Sequence, residues 1–212
     1  HRRVLVSELA GHSNIHWKAA QAGIDLNKNT PEMKHLLKTL KELEHEGFEF
    51  EGAEASFEML MEKAAGKGHP RFDLEGWRVV AERRGNAPAT SEATIKLHVN
   101  GVPEHTAAEG NGPVSALDNA LRKALYDFYP ALREMSLRDY KVRILEGPQG
   151  TSSKTRVLIT SGDGKDTWST VGVSHNIIDA SSQALADSVE YKLRMDERKA
   201  KNAPPPPPAK GK

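Results

Sequence analysis

The side chains best suited to chemistry in this 212-residue chain are its histidines, its carboxylates and one glycine-rich turn. His12 and His16, in HSNIH, have the i, i+4 spacing of a zinc-binding pair on one helix face, but no glutamate base stands between them and no third ligand is near. Solvated or core roles fit them better. His98, His105 and His175 fall on strands or loops with no serine or cysteine elbow beside them, and His69 falls in a turn between units. Carboxylate pairs such as Glu42 with Glu46 read as solvent faces of helices. No catalytic or metal-binding residue is assigned from these groups.

The glycine turn lies in AAEGNGPVSALDNAL, residues 107–121. A phosphate loop needs a lysine and a hydroxyl after its last glycine, and GNGPVSA has no such pair; a dinucleotide fingerprint needs a third glycine where Ser115 stands. What survives is a helix N-terminus whose free N–H groups suit a carboxylate, with Gly110 and Gly112 allowing close approach to the backbone. The second copy described below has a comparable element in Val171-Gly172-Val173-Ser174. From spacing alone, a tight strand-to-helix turn explains the glycines equally well.

The elements that would hold this turn are legible from periodicity. Ser13 could cap a helix that stops at Gly23, and Thr30-Pro31 starts a second with Met33, Leu36, Leu37, Leu40 and Leu43 on one stripe, ending at Gly47. A third helix carries Phe57, Leu60, Met61 and Ala64 before GKGHP breaks it. Residues 1–70 thus read as a small helical linker unit. After Pro70 the pattern turns to strands and repeats: 74–85 overlays 137–147 at an offset of 63, with Trp77 on Tyr140, and 94–107 overlays 156–170 at an offset of 62, the second copy then gaining about two residues before its helix. Each copy ends in a helix, the first with Val114, Leu117, Leu121, Ala124, Leu125 and Phe128 on one face. Asn100-Gly101 and Gly162-Asp163-Gly164 supply the expected hairpin turns. The fold class is α+β: a helical linker followed, over 71–193, by a duplicated βββα domain of antiparallel strands with helices on one face. Residues 194–212, with no apolar stripe after Met195 and five consecutive prolines, read as a disordered Lys/Pro-rich tail.

Thirty Lys plus Arg against 29 Asp plus Glu leave no charge excess to argue for nucleic acid or an anionic membrane. The absence of cysteine rules out disulfide frameworks and thiolate metal sites and fits a cytoplasmic setting, and no apolar run is long enough to span a bilayer. HRRVLV at the start, with His1 in place of Met, reads as a strand in progress and hence as a fragment.

HRRVLVSELAGHSNI, FEFEGAEASFEML, SEATIKLHVNGVPEHTAAEGNGPVSALDNALRKAL and DYKVRILE through TVGVSHNIIDASSQALADSVEYKL together resemble the C-terminal half of enzymes of the 2-isopropylmalate synthase family. The similarity runs from Arg2 to Leu193, and SELAGHSNI and EGAEASFEML are similar to its citramalate branch. The resemblance implies a linker and regulatory region that dimerises and binds a branched-chain amino acid, isoleucine in the citramalate branch and leucine in others. It implies a separate metal-dependent (β/α)₈ barrel in the same chain that condenses acetyl-CoA with a 2-oxo acid, pyruvate in this branch. The family's HxH metal pair does not occur here, so the divalent metal belongs to the barrel and no cofactor or catalytic residue is expected in this region. Carried over by position, the effector-binding candidates are Gly110, Asn111, Gly112, Val114 and Ser115 at the first helix start, Leu137, Tyr140 and Ile144 on the strand opening the second copy, and His175 with Ile177 at the second helix start. His175 departs from the proline of other branches. The alternatives are the regulatory region of a leucine-regulated 2-isopropylmalate synthase and a dimerisation module without an effector.

Overall fold

The computed structural model describes residues 31–66, 68–145 and 153–202. The expected first helix with His12, His16 and Trp17, the SELAGHSNI segment and the polyproline run all lie outside these residues.

Helix α1 spans Pro31–Glu46 and α2 spans Glu54–Ala64. Gly47, at φ 106°, ends α1 in the left-handed conformation that glycine adopts without strain. Strands β1 (Asp73–Glu82), β2 (Thr90–Val99) and β3 (Val102–Gly110) form one antiparallel sheet in that order and lead into α3 (Pro113–Leu125). A short 3₁₀ segment, Pro130–Glu134, connects to the second sheet of β4 (Ser136–Ile144), β5 (Thr155–Gly162) and β6 (Thr167–Ser174), followed by α4 (Ile177–Asn202). The duplicated βββα reading and the α+β class are therefore observed.

Hydrogen-bond register refines the repeat. Both edge strands carry a bulge at the same place, Leu74/Gly76 and Leu137/Asp139, and beyond it Trp77 faces Ile95 as Tyr140 faces Ile159. The middle and third strands therefore correspond at an offset of 64, not the 62 read from sequence, so Gly172 matches Ala108 and Ser174 matches Gly110. A slip of two residues escapes notice in the pattern because side chains alternate faces with a period of 2. Asn100 (φ 51°) and Gly101 (φ 80°) make the first hairpin turn in the I′ pattern. The second turn sits at Asp163–Asp166, one residue later than expected, with Gly164 at φ 87° and the Asp163 carboxylate accepting the N–H groups of Lys165 and Asp166.

The inner faces of both sheets feed one core. Ile95 and Leu97, Val157 and Ile159, Leu117 and Leu121 of α3, and Leu185 and Val189 of α4 are buried together. Phe128 packs on this core from the turn after α3 and not from the helix itself. A second cluster joins Leu36, Leu40, Phe50, Phe57 and Met61 of the linker to Val171 and Val173 on the opposite face of β6. The linker helices thus cover the outer face of the second sheet.

The expected tail boundary at residue 194 lies inside α4, which runs on to Asn202. Ion pairs replace the missing apolar stripe: Arg194 bonds Glu190 and Glu62, Arg198 pairs with Glu58 and Glu62, and Lys199 pairs with Asp166. Lys192 is held between Asp163 and Asp196 at 2.7 Å from each. Burial works to raise the Asp163 carboxyl, but the hydrogen bonds from Lys192 and from the Asp166 and Lys165 N–H groups outweigh it and hold that carboxyl well below the usual range. A polar helix of this kind persists because its charges find partners on α2 and the second hairpin.

Candidate functional site

The turn from β3 to α3 has an open helix start. Gly112 occupies the cap position in extended backbone (φ −168°, ψ 170°), gives no side-chain cap, and is followed by Pro113, which has no N–H. The first N–H groups of a helix have no partner within it, and the helix dipole adds partial positive charge there. A cavity of about 600 Å³ adjoins this point, lined by Gly110, Asn111, Ser115 and Asn119 together with Ser91 and Glu109. Asn119 donates to the Glu109 carbonyl at 2.9 Å and so ties α3 to the end of β3.

The glycines have different tasks. A Cβ on Gly110 would lie 2.3 Å from the Ala116 nitrogen, so Gly110 permits the strand and helix to touch. A Cβ on Gly112 meets nothing within 4 Å. Close packing therefore explains Gly110, while the bare cap at Gly112 leaves the helix start accessible.

The second copy is built differently at the matching place. Asn176 stands where Gly112 stands in the first, and its Oδ1 accepts the Ile178 N–H at 2.8 Å, capping α4 from within the chain. In sequence the two helix starts look alike; the side chain of Asn176 is what distinguishes them. Tight strand–helix contact has also moved, to Gly172, whose Cβ would sit 2.0 Å from the Ala180 carbonyl oxygen. His175 lies within electrostatic reach of Glu46, whose carboxyl is held below its ordinary value first by the Lys154 hydrogen bond and charge, with smaller help from His45 and His175.

The remaining expected site residues fall into a second group. Leu137 and Tyr140 pack partly buried on the common core from the inner face of β4, as Val114 does from α3. The Tyr140 and Ser181 hydroxyls are 2.9 Å apart, and Ser181 also donates to the Ile177 carbonyl at 2.6 Å, which links β4 to the first turn of α4. Ile144 is 70% exposed and Ile177 41% exposed. Val142, at 42%, lies on the same strand as Ile144; its alternation with Tyr140 and Ile144 could have identified it, whereas nothing in the sequence points to Ser181 or Asn119. Gly110, Asn111 and Ser115 thus line one cavity, Leu137, Tyr140 and Ile144 belong to β4, and Ile177 opens α4. Among the described residues, no group of three or more His, Cys, Asp or Glu side chains is placed to hold a metal ion, and no helix is long and apolar enough to cross a membrane.

Two βββα units, the first with an open helix start at Gly112 and the second with exposed Val142 and Ile144 on its outermost strand, make up this α+β module. The model of the LeuA allosteric (dimerisation) domain family matches residues 51–193. The chain is 57% identical to an (R)-citramalate synthase of Geobacter sulfurreducens over 92% of its own length and 37% of that relative. It is 54% identical to the (R)-citramalate synthase of Aquifex aeolicus, again over 92% of this chain and 37% of the relative. A 2-isopropylmalate synthase of Shewanella frigidimarina is 30% identical over 50% of the chain and 19% of that relative. The chain belongs to the LeuA allosteric (dimerisation) domain family, and it spans little more than a third of the length of the citramalate synthases it matches.

Proposed function

We propose that this chain is the linker and regulatory region of a longer cytoplasmic acyltransferase that condenses acetyl-CoA with pyruvate, and that it pairs as a homodimer and binds isoleucine as a feedback inhibitor. The observation that carries the effector reading is the uncapped start of α3 beside its cavity. A ligand carboxylate there takes the free N–H groups and the favourable end of the dipole, and Asn111, Ser115 and Asn119 supply polar contacts for an amine. Val114, Leu137, Ile144 and Ile177 do not line this cavity within one chain; on this reading they meet the ligand's aliphatic body where pairing brings a β4 face beside it. Pairing is supported by Val142, Ile144 and Ile177, which leave an apolar strand edge and helix start uncovered in one chain.

Isoleucine is favoured over leucine by the greater similarity to (R)-citramalate synthases than to 2-isopropylmalate synthases. One methyl position is worth only about 1–3 kcal/mol in an apolar pocket, so both ligands belong in the same titration. The deciding experiment is calorimetry and thermal unfolding of the chain with each amino acid, beside light scattering. A specific effector should stabilise the fold by about 2.7 kcal/mol at a hundredfold excess over its Kd. Scattering should give twice the chain mass. No stabilisation by any branched-chain amino acid would leave a dimerisation module alone.

A further inference from the structure

A separate cavity of about 460 Å³ lies where the linker helices meet α4, within the size range of small-ligand sites. It shares no lining residue with the cavity beside α3. Its walls are mostly apolar, with Leu43, Phe50, Met59, Leu60 and Val171 among them. Asp187 adds a carboxyl to this lining. Oδ2 of Asp187 accepts a 3.1 Å hydrogen bond from the Ser56 hydroxyl, its one donor among the described residues. Arg194 and Glu190, also on the wall, are already matched. Arg194 donates to Glu190 at 2.9 Å and to Glu62 at 2.6 Å, and Glu190 also accepts from the backbone N–H of Arg71. Lys63, exposed at the rim, has no ion-pair partner among the described residues.

Burial is the main influence on the Asp187 carboxyl and pushes it up to about 6. The Ser56 hydrogen bond and the charges of Arg194 and Lys63 oppose the rise, and Glu190 adds to it. A carboxyl with a single hydroxyl donor among hydrocarbon walls lacks the paired charge that buried carboxylates ordinarily have.

We propose that this seam is a second small-molecule site, selective for a protonated amine on a short branched apolar body, with the ammonium on Asp187 and the hydrocarbon against Phe50, Met59 and Val171. The ammonium supplies the missing counter-charge, and the hydrocarbon displaces water from walls that cannot hydrogen-bond it. The open turn at Gly112 suits a carboxylate and the seam suits an amine, so the two sites are separable by choice of probe. A simple amine and a free amino acid share the required ammonium; the amino acid's carboxylate would in addition meet Lys63.

The test is an amide NMR titration of the full chain with 2-methylbutylamine and, in parallel, isoleucine, its carboxylated counterpart. The Val171 N–H donates to the Ser56 hydroxyl at 3.1 Å, so its resonance reports on the Ser56–Asp187 pair. Saturable movement of that resonance with 2-methylbutylamine is expected, about tenfold weaker at pH 5 than at pH 7.5 because Asp187 is then largely protonated. Asp187→Asn should abolish the binding while keeping an acceptor for Ser56, and Leu60→Trp should block it by filling the cavity with the carboxyl intact. Gly112→Asp should leave it unchanged, which separates this site from the turn. If amino acids are the natural ligands, isoleucine also moves Val171 and binds more tightly than the amine, and Lys63→Met removes only that difference. If amines are, isoleucine leaves Val171 still. The absence of a saturable shift with the amine, or equal affinity in Asp187→Asn, overturns the proposal.

Discussion

The two βββα copies agree in pairing register, edge-strand bulge and tight hairpins, and part company on the sheet faces that α3 and α4 do not touch. In the first copy that outer face carries Arg78, Glu92, Lys96, His98 and Ala107 and is largely exposed. In the second it carries Leu158, Val171 and Val173, buried or half-buried under the linker. The helix starts diverge as well, α3 bare at Gly112 and α4 capped by Asn176. Duplication preserved the hydrogen-bonded skeleton, and the specialised features stand where the copies differ: one outer face to receive the linker, one helix start left open.

The largest expected effect tests strand–helix spacing. Gly172 and Ala108 occupy the same register position, yet a Cβ on Gly172 would lie 2.0 Å from the Ala180 carbonyl oxygen. Overpacking a core usually costs about 1–3 kcal/mol, and a clash with backbone belongs at or above the top of that range. Gly172→Ala should therefore lower the urea midpoint steeply, whereas Ala108→Gly should cost only about 0.5–1 kcal/mol. Equal losses would mean that the copies are spaced alike.

Outer faces come next. Val171 and Ala107 also share a register position, the first 1% exposed and the second open to water. Val171→Asp should place an unpaired carboxylate in the seam and cost several kcal/mol, releasing the linker to proteolysis. Ala107→Asp should stay within about 0.5 kcal/mol. If the linker remains docked in Val171→Asp, the outer face of the second sheet is not what holds it.

Asp187 sharpens the comparison through pH. Its carboxyl is raised from an ordinary 3.8 to about 6, so the folded chain binds this proton more tightly than the unfolded chain does. Stability from this group is present below about pH 4 and is lost as pH rises through about 6, the loss reaching at most about 3 kcal/mol. Asp187→Asn should accordingly stabilise the chain at pH 7 and lose most of that advantage at pH 4. Denaturant midpoints at the two pH values decide it, and a gain at pH 4 as large as at pH 7 would place the cause elsewhere.

Most of the skeleton was legible because periodicity reports burial. Leu36 and Leu40 in α1, Leu117 and Leu121 in α3, and the alternation of Ala93, Ile95, Leu97 and Val99 in β2 reach the core as their spacing requires. The two-residue gain of the second copy is legible in sequence only as far as the second helix, whereas the register already carries it at β5; pattern matching is blind to a slip that keeps every side chain on its face. The polar half of α4 was read as tail because its partners, Glu58, Glu62 and Asp166, are distant in sequence. The same limit hid Asp187 and Ser56, which are ordinary helix residues until the fold brings them together. At the turn before α3, the glycines are legible in sequence but their division of labour is not, because that depends on the approach of Ala116 to Gly110.

The smallest expected effect on stability carries the sharpest test of the open turn. Gly112 is in extended backbone that any residue adopts, and a Cβ there meets nothing within 4 Å, so Gly112→Asp should fold and pair like the parent chain. Aspartate is among the best cap residues, and exchanging it for glycine changes stability by only a few tenths of a kcal/mol, so a slight gain is expected. The variant in effect makes the first copy resemble the second, giving α3 a side-chain cap as Asn176 gives α4. Its carboxylate would take the N–H groups offered to the ligand and repel a second anion, so isoleucine affinity should fall at least about tenfold, or 1.4 kcal/mol. On the proposed function, activity of the longer enzyme should then no longer decline as isoleucine rises, with little change in its absence. Calorimetry on the folded dimer separates the outcomes: unaltered isoleucine affinity in Gly112→Asp would remove this turn from the effector site and leave the β4 face, with Leu137, Tyr140 and Ile144, as the place to search.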